Sequence, residues 1–292
     1  MAEAAAYGSG GGFLIRPQYD RFGPALKLYR DFFTDHADLY TGMAPHARVG
    51  LLCLPEQKLM GNTDHIEMVQ GLCRALSDAH VLFDMPMEEA LAPDGLSQYD
   101  AVIMAGVKYL APEQASALGE YVRGGGRLLT IDPLPSHDLL MRPYDAASLY
   151  VVPGAVARGD ADTIVRLESL PMRTIADDLR TLTGAEPAVL FRGDAPAPRS
   201  IRVNAWRGTA AAAHGLVYHL LNYGSPLGDS AAPPEPVDSL SLRLPVEEVR
   251  GKRVSVWEPG AEAPLSVDVR LDGDTAHLDL PPLSVYQVVA ID

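Results

Sequence analysis

The residues best placed to touch a small molecule are Glu56, Gln57, Asp84, Lys108, Tyr109 and Asp132. Each follows shortly after an apolar run: Val49–Leu54, Val81–Phe83, Ala101–Met104 and Leu128–Ile131. Carboxylates in such positions can exchange a proton or accept hydroxyl hydrogen bonds, and a neighbouring ammonium and phenol can orient or neutralise what they hold. Cleavage of a sugar linkage would need two carboxyls about 5–10 Å apart. The acidic residues are too many for spacing alone to select such a pair. The plainer reading is that these groups cap helices and bind water.

Other patterns carry less chemistry. Gly124-Gly125-Gly126 closes a helical stretch and precedes an apolar run, whereas phosphate-cradling glycines follow a strand and open a helix. Tyr7-Gly8-Ser9-Gly10-Gly11-Gly12 has no strand before it and reads as a flexible segment. There is no Gly-x-Ser-x-Gly, His-Glu-x-x-His or Walker pattern. The eight histidines form no i, i+3 or i, i+4 pair, so no metal site is expected on one helix, and no cofactor is expected. His219 reads as a half-buried strand residue, and Glu88-Glu89 as a solvated turn or helix start. Cys53 and Cys73 lie twenty positions apart in apolar surroundings and read as buried small hydrophobes in a reducing compartment.

The elements that must position the polar residues follow from periodicity. Leu26, Tyr29, Phe33 and Ala37 recur at helical spacing within 19–40, with Gly42 as a stop. From 47 to 132, apolar strands at 49–54, 81–83, 101–104 and 127–131 alternate with helices at 64–79 and 112–123, the second opening on Pro112. Continuous apolar strands separated by helices predict a parallel sheet covered on both faces. Ligands of such sheets settle beyond the carboxyl ends of the strands, which is where the six residues fall. A further helix is expected at 172–183, closed by Gly184. From 201 the period becomes two, in runs at 201–206, 240–244, 254–257 and 266–271; the last meets 276–280 across a turn, and 285–291 closes the chain. About seven short strands, with a hairpin turn at Asp272-Gly273, predict an antiparallel sandwich. Three segments result: 1–45 with the amphipathic helix, 46–200 as the α/β domain and 201–292 as the β-sandwich.

Composition bounds the function classes. The 292 residues carry a formal charge of −14, which argues against nucleic acid as a partner because phosphate binding needs a basic face. No apolar run approaches the roughly 20 residues of a membrane helix, and the first twelve residues do not read as a signal peptide. A cytoplasmic location is the expectation.

The stretch Tyr99-Asp100-Ala101-Val102-Ile103-Met104-Ala105-Gly106-Val107-Lys108-Tyr109-Leu110, with Ala111-Pro112-Glu113-Gln114 and Glu120–Leu129 after it, resembles a class I glutamine-amidotransferase-like, flavodoxin-like domain. In particular it is similar to the trimerisation domain that follows the catalytic barrel of family 42-type β-galactosidases and related glycoside hydrolases. Phe32–Tyr40 is similar to the helix entering that domain. Val217–Tyr223 and Pro281–Val289 resemble the small β-domain that ends such enzymes. Two departures matter. An active amidotransferase has a nucleophilic Cys after a central strand, but here the strand runs into Asp132-Pro133-Leu134-Pro135, and Cys53 and Cys73 lie too early. The family's catalytic glutamates sit on a barrel of roughly 250 residues, and their matching positions are absent from this chain.

The leading expectation is therefore a non-catalytic accessory module of a glycoside hydrolase, associating with itself or with a barrel and contributing to a carbohydrate site. The alternatives are a free-standing hydrolase or lyase using strand-end carboxylates, and a sugar-binding protein using Trp206 or Trp257. Both tryptophans fall in alternating strands, where a core role is the plainer reading.

Overall fold

The computed structural model describes residues 1–8, 23–92, 94–131, 135–143, 156–159, 172–191, 195–225 and 233–292. The chain divides into two compact units: Met1–His46 with Ala188–Asp292, and Ala47–Pro187 between them in sequence. The first unit begins with helices Ala2–Ala6 and Gly23–Asp35, a 3-10 turn Ala37–Leu39 and strand β1 (Met43–Pro45). The sequence reading extended one helix over 19–40. The structure ends it at Asp35, and residues 19–22 lie outside the described residues.

The second unit carries β2 (Val49–Leu51), β3 (Phe83–Asp84), β4 (Ala101–Ala105), β5 (Arg127–Ile131) and β6 (Val156–Gly159). They form one sheet in the order β3-β2-β4-β5-β6, with every pairing parallel. Alternate residues feed two separate cores. Val49, Leu51, Ile103, Ala105, Leu129 and Ile131 pack with Val69, Leu72 and Leu76 of helix Asp64–Asp78 and Leu179 of helix Met172–Thr183. Val102, Met104 and Leu128 pack with Leu118 and Val122 of helix Pro112–Arg123. Burial on both faces explains the unbroken apolar strands.

Two strands differ from the sequence reading. The run at 49–54 stops as a strand at Leu51. Leu52 still donates its N–H to Ile103 O at 2.9 Å, and Pro55 then opens the short helix Glu56–Leu59. The run at 81–83 forms its strand later, at Phe83–Asp84, because the Val81 N–H is taken by Leu76 O at the end of the preceding helix. Gly124–Gly126 closes helix Pro112–Arg123 as expected, with Gly125 at φ +98°. Cys53 and Cys73 are free and half-buried rather than buried, packed at the edge of the first core.

The chain returns to the first unit through β7 (Val189–Phe191), β8 (Ala195–Pro196), β9 (Ile201–Gly208), β10 (Leu216–Asn222), β11 (Leu240–Pro245), β12 (Val254–Trp257), β13 (Asp268–Asp272), β14 (Thr275–Asp279) and β15 (Tyr286–Ile291). Two five-stranded antiparallel sheets result, β1-β9-β10-β15-β12 and β13-β14-β11-β7-β8, a sandwich-like arrangement. The hairpin turn is Gly273-Asp274, one residue later than read, because Asp272 pairs with Thr275. Gly273 supplies the positive φ of +56°.

Val217, Leu221, Tyr286, Val288 and Ala290 of β10 and β15 pack against Ala6, Phe32 and Leu39 of the N-terminal segments. This is why the amphipathic helix has an apolar stripe. Tyr29, Phe33, Tyr40 and Trp257 complete the cluster. At its centre the Tyr286 hydroxyl lies 2.7 Å from His219 Nδ1 and 3.0 Å from Tyr40 Oη. His219 is 1% exposed, not half-buried, and burial pulls its imidazole pKa down to about 3. It stays neutral in the fold, whereas an unfolded chain would protonate it below about pH 6.5. Over that interval the unfolded state binds the extra proton, so this residue's contribution falls as pH falls. His219→Gln should flatten the acid limb of stability between about pH 6.5 and 3, where wild type loses up to about 1.4 kcal/mol per pH unit through this group. Urea unfolding of both proteins across that range measures the difference.

Candidate functional site

The carboxyl ends of β2 and β4 are tied together by one side chain. Gln57 is 0% exposed. Its Nε2 donates to Tyr109 O at 2.6 Å, and its Oε1 accepts from Lys108 N at 3.0 Å, Tyr109 N at 3.2 Å and Asn62 Nδ2 at 3.0 Å. Asn62 also donates to Gly106 O at 2.7 Å. Beside it, His65 of the following helix is fully buried. Its Nε2 accepts from Leu54 N at 2.9 Å, so its proton sits on Nδ1, facing Ala105 O at 2.7 Å. Burial lowers the His65 pKa and keeps this neutral form.

Around this frame stand the residues singled out by sequence. Glu56 opens the short helix, and its Oε1 accepts from Gln114 Nε2 at 3.1 Å, while its own N–H donates to Glu88 Oε1 at 3.2 Å. Gln114 also takes the Ala111 N–H on its Oε1 at 2.8 Å, the reach-back of a third helical residue. Partial burial raises the Glu56 pKa; the Gln114 bond opposes this and the Glu88 charge adds to it. Lys108 Nζ pairs with Asp64 Oδ2 at 3.0 Å, and Tyr109 stands against the His137 ring. Glu56, Lys108 and Tyr109 are thus brought to one end of the sheet.

Asp84 is held separately. Its Oδ2 accepts from Tyr99 Oη at 2.7 Å and its Oδ1 from Met85 N at 2.8 Å. Asp132 lies outside the described residues. Glu88 and Glu89 open a 3-10 turn, as the sequence suggested. Sequence reasoning missed the roles of Asn62, His65, Asp64 and Gln114. Only Gln114 left a signal, a glutamine at the third position of a helix opened by proline. Among the described residues, no group of three His, Cys, Asp or Glu side chains could hold a metal ion.

The tryptophans serve the first unit's own packing and are half-exposed. Trp206 Nε1 donates to Ala6 O at 2.8 Å. Trp257 lies against the His36 ring, centroids 4.4 Å apart, with Nε1 3.2 Å from Ser255 Oγ.

The parallel sheet and the two antiparallel sheets have counterparts in solved glycoside hydrolases, a likeness of fold. No family model and no curated protein sequence matches the chain. Among solved structures, an α-L-fucosidase (isoenzyme 2) of Paenibacillus thiaminolyticus matches 100% of this chain and 56% of its own, with a TM-score of 0.65 and 15% identity. A β-galactosidase of a Rahnella species matches 92% of this chain and 44% of its own, with a TM-score of 0.56 and 12% identity. One of Bacillus circulans sp. alkalophilus matches 90% and 44%, with a TM-score of 0.51 and 10% identity. At these identities the likeness is one of fold, and the chain spans about half of those proteins or less.

Removing the Gln57 tie should be costly. Gln57→Leu strands the Lys108 and Tyr109 backbone groups and should lower unfolding stability by about 3 kcal/mol. Lys108→Ala, which breaks only an exposed ion pair, should cost under about 1 kcal/mol. Glu56→Gln removes a carboxylate whose charged form burial disfavours, so it should match or exceed wild type at pH 7, and the difference should shrink as the pH falls and wild-type Glu56 protonates. Guanidinium titrations of the three variants check all of these directions.

Proposed function

We propose that the chain is a non-catalytic accessory module of a glycoside hydrolase that promotes assembly, with the catalytic barrel supplied by a covalently joined or separate partner. The observation that carries this reading is the extent of the fold match, which takes in all of this chain and only 56% of the fucosidase. The chemistry at the strand ends supports it. The Gln57, Asn62 and His65 side chains are spent on backbone groups, Asp84 on Tyr99 and Met85, and Lys108 on Asp64. A catalytic carboxylate pair needs groups free to face a sugar, and these are engaged in holding loops.

The amidotransferase-like character of the parallel unit, without a nucleophilic Cys, belongs to the same reading. So does a cytoplasmic setting, which two free cysteines suit. No helix among the described residues is long and apolar enough to cross a membrane. Carbohydrate would be met at the edge of a partner's pocket rather than in a site of this chain alone.

Light scattering of the purified chain at micromolar concentration should give a multiple of 31.4 kDa. The same sample should not hydrolyse nitrophenyl β-galactoside or α-fucoside. A monomer at that concentration would overturn the assembly role. Turnover abolished by Glu56→Gln would overturn the non-catalytic one.

A further inference from the structure

Both cysteines of the chain and two methionines meet on one face of the parallel sheet. Val49, Leu51 and Cys53 alternate into the core shared with helix Asp64–Asp78, while Leu52 and Leu54 enter the other core. The ladder thus runs on past β2: Leu52 N–H donates to Ile103 O at 2.9 Å, and Cys53 N–H donates to Pro86 O at 3.0 Å. Cys53 therefore lies beside the chain leaving β3, on the face that also takes Phe83. From the helix, Cys73 follows the core residue Leu72 and points its thiol at Met85 Sδ, 3.7 Å away. Across β2, at the end of β4, Met68 Sδ stands against Gly106.

The strand-end frame of Gln57, Asn62 and His65 uses none of these sulfurs. Nor do they fill the core, since Met85 is 41% exposed and both thiols are half-buried, so the cluster opens to solvent. Burial pushes the Cys53 thiol up and that of Cys73 up to about 11, with the Glu88 charge adding at the first and Cys53 at the second. Without a metal both stay protonated at neutral pH. Thiolates and thioethers are soft donors that select soft cations. Zinc sites are built from four Cys, His or carboxylate ligands, and the described residues hold no such group. Two thiols beside a thioether suit Cu(I) instead. Sulfurs bound about 2.3 Å from one metal in a trigonal plane lie about 4 Å apart. The Cys73–Met85 separation is already close to that of two ligands.

We propose that Cys53, Cys73 and Met85 bind one Cu(I) ion as two thiolates and a thioether. The two thiol protons pass to solvent, each sulfur gives a lone pair to the metal, and copper stays in the +1 state. The exposed side of Met85 is the path of entry. The site lies wholly within the second unit and is independent of the assembly role.

The test titrates the full reduced chain with Cu(I), under ascorbate and without oxygen, against bicinchoninate as a coloured competitor. Wild type should withdraw one Cu(I) per chain and develop the near-ultraviolet absorption of thiolate-bound copper. Cys53→Ser and Cys73→Ser should each weaken the affinity at least about a hundredfold, and Met85→Leu at least about tenfold. Leucine replaces methionine at nearly constant volume, so the loss in Met85→Leu reads the thioether rather than the packing. Met141→Leu, at an exposed methionine outside the cluster, should leave the affinity unchanged. A wild type that draws no Cu(I) from bicinchoninate would overturn the site. So would an affinity that Met85→Leu leaves intact, or one that the urea-unfolded chain matches, since loose thiols behave in that way.

Discussion

Backbone groups at the end of a sheet covered on both faces have little water to bond with, and the second unit depends on how they are satisfied. The Gln57 carboxamide does this at one point, taking two N–H groups and one carbonyl from the loop after β4 while sitting on the loop after β2. Asn62 and His65 extend the same solution to Gly106, Ala105 and Leu54. The parallel order β2-β4 could persist without these bonds, but the loops that carry Glu56, Lys108 and Tyr109 would not have one conformation. What resembles a polar ligand site in sequence is therefore largely a frame, and its cost of burial is met by hydrogen bonds within the chain except at Asn62 Oδ1, which is buried without a partner.

The first unit solves a different problem. Its central strands β10 and β15 are buried along their whole length, so the sheet needs cover on both faces. One face takes the N-terminal helices, whose Phe32 and Leu39 enter the same cluster as Tyr286 and Val288. The unit thereby joins the two ends of the chain, the parallel unit being inserted between them in sequence. Burial of His219 within that cluster is tolerated because the ring stays neutral and meets the Tyr286 hydroxyl. Tyr40 completes the chain of three polar groups inside an otherwise apolar core.

Within the second unit, two kinds of side chain stand in contrast. Polar side chains at the strand ends are turned inward onto the backbone, whereas Leu140, Met141 and Leu59 are turned outward, Leu59 being 87% exposed. Both features support the proposed accessory role over the catalytic alternative.

Sequence alone determined the elements whose signal is local. Helices 112–123 and 172–183 have their stop glycines and apolar stripes, and β4 and β5, apart from Arg127 and Thr130, are apolar because both faces are covered. The alternation after 201 marks strands, although β13 is exposed and β15 buried on both faces. These patterns are set by residue type within a few positions, and the structure keeps them to within a residue or two. Tertiary structure decided everything that needs a distant partner. The strand near 81 moved to Phe83–Asp84 because its first N–H was already bonded, and Met43–Pro45 became a strand only by pairing with β9. Glu56, Lys108 and Tyr109 were legible as strand-end residues, but their partners Gln114, Asp64 and Gln57 were not identifiable as such, nor was the separation of Asp84. A side chain's hydrogen-bond partner is fixed by which loops the sheet order brings together, and that order is a property of the whole core rather than of any one segment.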